Sequence, residues 1–256
     1  MRKFLSLLIL LLSGTAYAAG GTLKIGHQFM RINEKTPGMW QDYEFGTPGK
    51  YAEYVEDFFT YTTGDWTVSE IDGAATEALA TAAPTVGGVL LITNTNADND
   101  AVSMQKVGHS FVPTANSKIF CEFRFQISEV TQSDYLFGLV VTDTTPLANT
   151  DGVYFRKDDG DTNLDFETNA SSTASTEAGI RTAVADTYLK VGFKISGTTL
   201  VEYYVNDKKE GEFTTNIPTA PLRLTLHTQD GDTGGAVGAE TTSVDYAICA
   251  QERPGF

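Results

Sequence analysis

The chain has 256 residues, 41% of them hydrophobic, which is enough for one large β domain with a real core and unlike the composition of a disordered protein. Its 33 acidic and 18 basic residues leave a formal net charge of −15. Binding nucleic acid through its phosphates needs clustered Lys and Arg, so this charge argues against a nucleic-acid partner. It fits a soluble surface, or one that attracts cations.

The first eighteen residues have the features of an export signal. Arg2 and Lys3 form a basic start, residues 4–12 form an apolar run, and residues 16–18 (Ala-Tyr-Ala) fit the small-x-small cleavage rule. The apolar run is about half as long as a membrane-spanning helix, so we expect no stable membrane span. The alternative is that residues 1–18 are kept as an apolar arm that docks on a partner subunit.

Residues 19–52 are predicted to form an extended, irregular N-terminal arm. The segment is rich in Gly, is interrupted by Pro37 and Pro48, and its aromatic residues follow no steady period. Such a segment is typical of an arm laid over a surface, either its own or a neighbour's. The globular domain is therefore placed at residues 53–256.

Alternating segments dominate the rest of the chain. In residues 118–128 the odd positions are apolar or Cys and most even positions are polar, the period-two pattern of a half-buried antiparallel strand. Strands are also predicted at 55–59, 66–71, 89–93, 101–106, 135–142, 153–157, 164–168, 189–195, 200–206, 210–214, 222–226 and 243–250. Residues 206–209 (Asn-Asp-Lys-Lys) predict a hairpin turn. Many short strands joined by Gly, Asp, Asn and Thr turns predict an all-β, two-sheet antiparallel jelly-roll sandwich.

Residues 169–179 (NASSTASTEAG) are low in complexity and are predicted to form a flexible surface loop. In residues 243–250, alternation places Val244, Tyr246 and Ile248 on one face and Cys249 on the other.

Two cysteines, Cys121 and Cys249, would permit one disulfide in an exported protein. Their positions in the alternating pattern differ, because Cys121 shares a face with Phe123 and Phe125 whereas Cys249 opposes its apolar neighbours. Whether the two faces meet is open, and two unpaired thiols are at least as well supported as a bridge.

No catalytic motif stands out. His27, His109 and His227 are not at metal-ligand spacing from one another or from Cys, which argues against a zinc site. Glu70-Ile71-Asp72 copies the start of the Glu-x-Asp-x-Glu strand of jelly-roll endoglucanases, but the next carboxylate is Glu77. A retaining mechanism needs a nucleophile and a general acid together, so we expect no enzyme activity.

The acid-rich turn at Asp158, Asp159 and Asp161 is the best candidate for a metal site. Alternating carboxylates around a Gly turn suit a hard cation such as calcium, although the complete twelve-residue calcium loop is absent. Residues 98–100 (Asp-Asn-Asp) are a weaker candidate. The alternative is a solvated hairpin turn, which Asp and Gly favour for other reasons. Apart from this calcium ion we expect no cofactor.

Several stretches resemble known families. Residues 188–193, 201–207, 221–224 and 243–247 resemble the closing strands of concanavalin A-like, laminin-G-like domains. Residues 56–59, 65–66, 98–100, 151–160, 244–246 and 250–253 resemble jelly-roll proteins found among tailed-phage structural proteins. The resemblance implies a concanavalin A-like sandwich used as a capsid-decorating or appendage protein, without catalysis. It supplies no site residues.

These observations lead to two expectations of function. The first is a non-enzymatic virion structural protein, displayed on the particle surface as a homo-oligomer and attached through its arm to capsid or other structural subunits. The alternative is a secreted or periplasmic lectin-like module that binds carbohydrate such as cell-surface glycans, which the export signal favours. Tyr154, Tyr203 and Tyr204 are candidates for stacking on sugars, but they lie within predicted strands.

Overall fold

A computed structural model of the protein describes residues 38–44, 49–71, 75–81, 87–108, 110–231 and 239–255. The predicted signal and most of the predicted arm lie outside these ranges, as do His27, Asp72 and His109. No helix within the ranges is long and apolar enough to cross a membrane.

The described chain is built almost entirely of antiparallel strands. In chain order they are β1 Tyr51–Glu56, β2 Trp66–Ile71, β3 Thr76–Leu79, β4 Leu90–Thr93, β5 Ala101–Lys106, β6 Lys118–Ile127, β7 Ser133–Val140, β8 Gly152–Lys157, β9 Asn163–Ala170, β10 Thr173–Thr182, β11 Leu189–Ser196, β12 Leu200–Val205, β13 Lys208–Phe213, β14 Arg223–Asp230 and β15 Thr241–Glu252. Single 3₁₀ turns lie at Met39–Asp42, Thr63–Asp65 and Pro146–Ala148.

The strands form two sheets that pack face to face. Sheet A has the order β13-β12-β11-β6-β15-β4-β3, with β1 also paired to β15, and sheet B has the order β10-β9-β8-β7-β14-β5-β2. Aromatic side chains join the sheets: the ring of Phe125 in sheet A stacks on Phe137 in sheet B with centroids 4.1 Å apart. The predicted two-sheet antiparallel sandwich is therefore confirmed.

The predicted faces of β15 are wrong, because the strand carries a β-bulge. Val244 pairs with Phe125 while Tyr246 pairs with the neighbouring Arg124, so Asp245 is an extra residue without a partner of its own. An extra residue reverses the alternation beyond it. As a result Val244 and Cys249 both lie in the core, whereas Tyr246 is only half-buried on the outer face.

The bulge brings the two cysteines together. Cys249 lies directly opposite Cys121 in the β6–β15 ladder, and the two form a disulfide with Cα atoms 4.2 Å apart. Both residues are fully buried between the sheets. The disulfide therefore joins two central strands of sheet A across 128 residues of sequence.

The predicted loop at 169–179 is instead a β-hairpin, formed by the end of β9 and most of β10. Ser171 and Ser172 have φ angles of 51° and 61°, the left-handed pair that a two-residue hairpin turn requires. Strand β10 is an edge strand and most of its side chains are exposed. Because most of its residues on both faces are exposed, no apolar alternation marks it as a strand in the sequence. Strand β3 was also not predicted.

Residues 38–44 of the predicted arm lie on the outer face of the protein's own sheet A. The Trp40 ring stacks on Phe120 at 5.5 Å, and its indole N–H donates to Glu122 Oε2 at 2.9 Å. Met39 is buried above Gly192, where a Cβ atom would come within 2.8 Å of the Met39 sulfur. Strand β1 begins at Tyr51, two residues before the start of the predicted domain.

Candidate ligand-binding pocket

A cavity of about 150 Å³ opens between the two sheets at one end of the sandwich. The buried side chains of Phe125, Ile127 and Tyr135 form its floor, and exposed residues at the end of β10 and in the following loop form its rim. The lining residues are Phe125, Gln126, Ile127, Tyr135, Arg181, Thr182, Ala183, Val184, Thr187, Tyr188, Leu189 and Asn206. The pocket thus combines aromatic and aliphatic walls with a few polar groups, as small-molecule sites commonly do.

Tyr135 lines the pocket, and its buried hydroxyl group has no hydrogen-bond partner among the described residues. Its side chain is 1% exposed and its ring packs edge-on against Phe125 with centroids 5.4 Å apart. Within the described part of the chain the hydroxyl makes no hydrogen bond. Burial, with a smaller contribution from the charge of Asp165, raises the pKa of Tyr135 well above its usual value, so the group stays a neutral donor. An unpaired buried hydroxyl costs about 1–3 kcal/mol, which a ligand that bonds to it would recover.

The loop between β10 and β11 is held by backbone hydrogen bonds. The N–H of Asp186 donates to the carbonyl of Ile127 at 2.8 Å, and that of Ala183 donates to the carbonyl of Thr162 at 2.8 Å. Asp186 has a φ of 53°, which turns the chain back toward β11. The loop carries Val184, whose side chain is 61% exposed at the mouth. This part of the rim is therefore formed before any ligand arrives.

The predicted turn at residues 206–209 supplies another part of the rim. Asn206 and Asp207 have φ angles of 49° and 68°, as a two-residue hairpin turn requires. The side-chain oxygen of Asn206 accepts the Lys190 N–H at 3.2 Å. This bond orients the amide, whose NH₂ group donates to no other described residue. It is available to a ligand.

Tyr188 is fixed at the rim by a neighbouring cation. The Arg124 guanidinium carbon lies 4.1 Å from the Tyr188 ring centroid, and Arg124 forms an ion pair with Asp245. Asp245 is the extra residue of the β15 bulge. The bulge therefore helps to hold Tyr188 in place, and burial raises the pKa of its hydroxyl.

Two carboxylates of the predicted calcium turn, those of Asp158 and Asp161, bind protein groups. Asp158 forms an ion pair with Arg156, and the N–H of Asp159 donates to Asp134 Oδ1 at 2.8 Å. Asp161 accepts a backbone N–H two residues further along the chain at 3.0 Å. Among the described residues, no group of three or more His, Cys, Asp or Glu side chains is arranged to hold a metal. The calcium site stays a prediction.

A buried ammonium group lies at the base of this turn. Lys157 is fully buried, and its Nζ donates to the carbonyl oxygens of Ser133 and Asp158, the latter at 3.1 Å. Burial lowers the pKa of Lys157, while nearby carboxylates, chiefly Asp134 and Glu240, act in the opposite direction. Burial, and then the charge of Asp230, raise the pKa of Glu240 to about 9. This end of the sandwich is therefore held by charge-assisted hydrogen bonds from a lysine.

The structure separates the other predicted residues from the pocket. Glu70 lies on edge strand β2 with its side chain exposed, and the carboxylate expected beside it, Asp72, is outside the described residues. His227 is buried with Nδ1 2.6 Å from Ser103 Oγ, and burial lowers its pKa to about 4, so it is neutral at pH 7. Tyr154, Tyr203 and Tyr204 are all buried, so none presents a free ring face at the surface.

The pocket residues were not singled out from the sequence. Tyr135 and Leu189 are the first residues of predicted strands, and Asn206 is the last residue of one. The sequence therefore predicts a place in a strand for each of them and no role in binding. A usable signal was that several strand ends carry aromatic or amide side chains. Sequence alone does not tell which ends of strands meet.

The comparisons with known proteins agree on the fold. No protein-family model and no curated protein sequence matches the chain. A β-1,3-1,4-glucanase (lichenase) from a mouse hindgut metagenome matches with a TM-score of 0.58 and 12% identity, over 77% of this chain and 98% of that one. A Bacillus licheniformis β-glucanase matches with a TM-score of 0.56 and 15% identity, over 77% and 97% of the two chains.

A third match is the carbohydrate recognition domain of Emp47p, with a TM-score of 0.53 and 13% identity, over 75% of this chain and 91% of that one. The fold is a concanavalin A-like jelly roll. At these identities the likeness shows the architecture alone, because one jelly roll carries many unrelated functions.

Proposed function

We propose that the protein is a carbohydrate-binding jelly-roll module and that the pocket between its sheets is the sugar site. Two residues that line the pocket carry this proposal: Tyr135, whose buried hydroxyl is unpaired, and Tyr188, whose ring is held by Arg124. A pyranose ring has apolar C–H faces and a rim of hydroxyls, so it suits a site that joins an aromatic wall to buried hydrogen-bonding groups.

The size of the pocket supports a single sugar ring. An engineered protein cavity of roughly 150 Å³ takes up one benzene molecule. A pocket of about 150 Å³ with an open mouth therefore suits one six-membered ring whose substituents extend into solvent. Such a pocket favours the end of a glycan over the middle of a long chain.

The lining residues favour binding over hydrolysis. None of the twelve residues that line the pocket is Asp or Glu. Glycoside hydrolysis requires a pair of carboxyl groups on either side of the scissile bond. We therefore propose a non-catalytic role for this site.

The disulfide supports a location outside the reducing cytoplasm. Disulfides persist mainly in secreted and periplasmic proteins, and Cys121–Cys249 joins two central strands of the fold. Together with the signal-like start of the sequence, this favours a secreted or periplasmic carbohydrate-binding protein.

A role on a virus particle is the second candidate. The observation that favours it is the exposure of two apolar side chains at and just after β1, Val55 at 62% and Phe59 at 70%, which suit contact with another subunit. Co-sedimentation of the protein with intact particles, lost in a Phe59→Ser variant, would support this role over the first.

Glycan-array binding of the full chain, followed by titration of each hit, tests the main proposal. We expect the Tyr135→Phe variant to bind about tenfold more weakly, because it lacks the hydroxyl that bonds to the ligand. The same variant should unfold at the same or a higher urea concentration than the parent, because the lost hydroxyl was buried and unpaired in the free protein.

The matched control is Tyr61→Phe, which removes a hydroxyl that donates to Glu77 at 3.2 Å. Neither Tyr61 nor Glu77 lines the pocket. The glycan affinity of this variant should equal that of the parent. Equal affinities for Tyr135→Phe and Tyr61→Phe would contradict the site, and a silent array would contradict the function.

A further inference from the structure

We infer that the pocket recognises a sugar ring that carries a carboxylate, such as a terminal uronic acid; this inference rests on the proposed function. Its first basis is the distribution of charge. The sequence contains 33 acidic and 18 basic residues, yet the lining of the pocket contains no acidic residue and one basic residue, Arg181. A neutral sugar would gain nothing from the exclusion of carboxylates, whereas an anionic sugar would be repelled by them.

The second basis is the side of the sheet on which Arg181 lies. Arg181 pairs directly with Leu164, and directly opposed residues of an antiparallel pair point to the same face. Leu164 is fully buried in the core, so Arg181 extends from the inner face of sheet B toward the space between the sheets. Arg181 is exposed, so its side chain lies at the open end of this space.

The ion pair that Arg181 forms with Glu210 engages only one nitrogen of the guanidinium group. Arg181 Nη2 lies 3.4 Å from Glu210 Oε1, and the side chain is 42% exposed. The other oxygen of Glu210 accepts Lys208 Nζ at the shorter distance of 3.0 Å. The remaining N–H groups of Arg181 suit the paired, parallel hydrogen bonds by which a guanidinium binds a carboxylate.

Irregular pairing in β10 sets this position. Glu177 and Arg181 are four positions apart in the chain, whereas their partners Phe166 and Leu164 are two positions apart. Gly179 takes up the excess with a φ of 70°, and its N–H donates to Asp165 Oδ1 at 2.7 Å. The bulge brings Arg181 to the end of the strand, where the pocket opens.

The other donors of the pocket complete a site for an acidic sugar. The Tyr135 hydroxyl and the Asn206 amide are neutral groups without a donor bond inside the described protein. They suit the ring hydroxyls and ring oxygen, while Arg181 takes the carboxylate. The alternative is that Arg181 and Glu210 form a surface ion pair that does not influence ligand choice.

Matched monosaccharides distinguish these alternatives. Glucuronate and galacturonate are titrated against the full chain beside glucose and galactose, by NMR or calorimetry. We expect each uronate to bind about tenfold more tightly than its neutral counterpart, and the preference to shrink as salt is raised.

Arg181→Gln should abolish the preference and leave the affinity for the neutral sugars within about twofold of the parent. Arg253→Gln is the control: it removes the same charge from an exposed position outside the pocket and should keep the preference. Equal affinities for acidic and neutral sugars, or identical behaviour of the two variants, would overturn the inference and leave the proposed function standing. No binding of any sugar would overturn both.

Discussion

At the scale of single residues, the sandwich buries polar groups in two ways. The Lys157 ammonium meets carbonyl oxygens and nearby carboxylates, so its burial is compensated. The Tyr135 hydroxyl meets no described partner. Because an unpaired polar group is costly, the first arrangement serves stability, whereas the second is the group to which the proposed ligand would supply the missing bond.

Replacing Lys157 by Met tests the first arrangement. The change keeps the length of the side chain but removes the hydrogen bonds to the Ser133 and Asp158 carbonyls and the positive charge beside Asp134. We expect the free energy of unfolding, measured by urea denaturation at pH 7, to fall by about 3–5 kcal/mol. Lys208→Met, at a side chain that is 73% exposed, should change it by less than about 0.5 kcal/mol. Similar losses in both variants would show that the burial of Lys157 is not decisive.

At the scale of elements, two bulges shape the pocket. The bulge in β15 presents Asp245 to Arg124, which lies against Tyr188. The bulge in β10 delivers Arg181 to the rim. Bulges re-aim side chains without ending the sheet, and here each moves a residue that regular alternation would place elsewhere.

Asp245→Ala tests whether the first bulge serves the pocket. Without its carboxylate, Arg124 is no longer held against Tyr188, so we expect the affinity for the bound sugar to fall about threefold to tenfold. The ion pair is partly exposed, so the free energy of unfolding should change by no more than about 1 kcal/mol. Glu212→Ala removes a comparable ion pair, with Lys209, and should alter neither quantity by as much. An unchanged sugar affinity in Asp245→Ala would separate the bulge from the site.

At the scale of the whole molecule, the disulfide closes a large loop through the core. Cys121 and Cys249 lie in adjacent central strands and are 128 residues apart in sequence. In the chain-entropy model, cross-links that close long loops restrict the unfolded chain most. The bridge therefore stabilises the sandwich as a unit, since most of the strands lie within the loop.

Replacing both cysteines by Ala should lower the free energy of unfolding by about 2–5 kcal/mol. Urea denaturation of parent and variant, each with and without reductant, measures the effect, and reductant should shift the midpoint of the parent only. A thiol assay of the unfolded, unreduced parent should find no free thiol. Two free thiols per chain would show that the bridge is absent in solution.

Sequence by itself determined the class of fold. Period-two alternation, as in residues 118–128, depends only on which side chains prefer burial, so it predicts strands and a sandwich without knowledge of the partners. The hairpin turn at Asn206 was also predictable, since Asn and Asp tolerate the left-handed backbone. Alternation did not predict the structure at two places: the bulge at Asp245, where an extra residue reverses the faces, and strand β10, where most residues on both faces are exposed.

The candidate site was decided by tertiary structure alone. Ile127, Tyr135, Arg181 and Asn206 belong to four different strand ends, and the order of strands in the sheets brings those ends together. The disulfide likewise depended on one unpaired residue in β15, which brought Cys249 to the face of Cys121. Burial preferences are local and can be read along the chain, whereas register and strand order are set by pairing between distant segments.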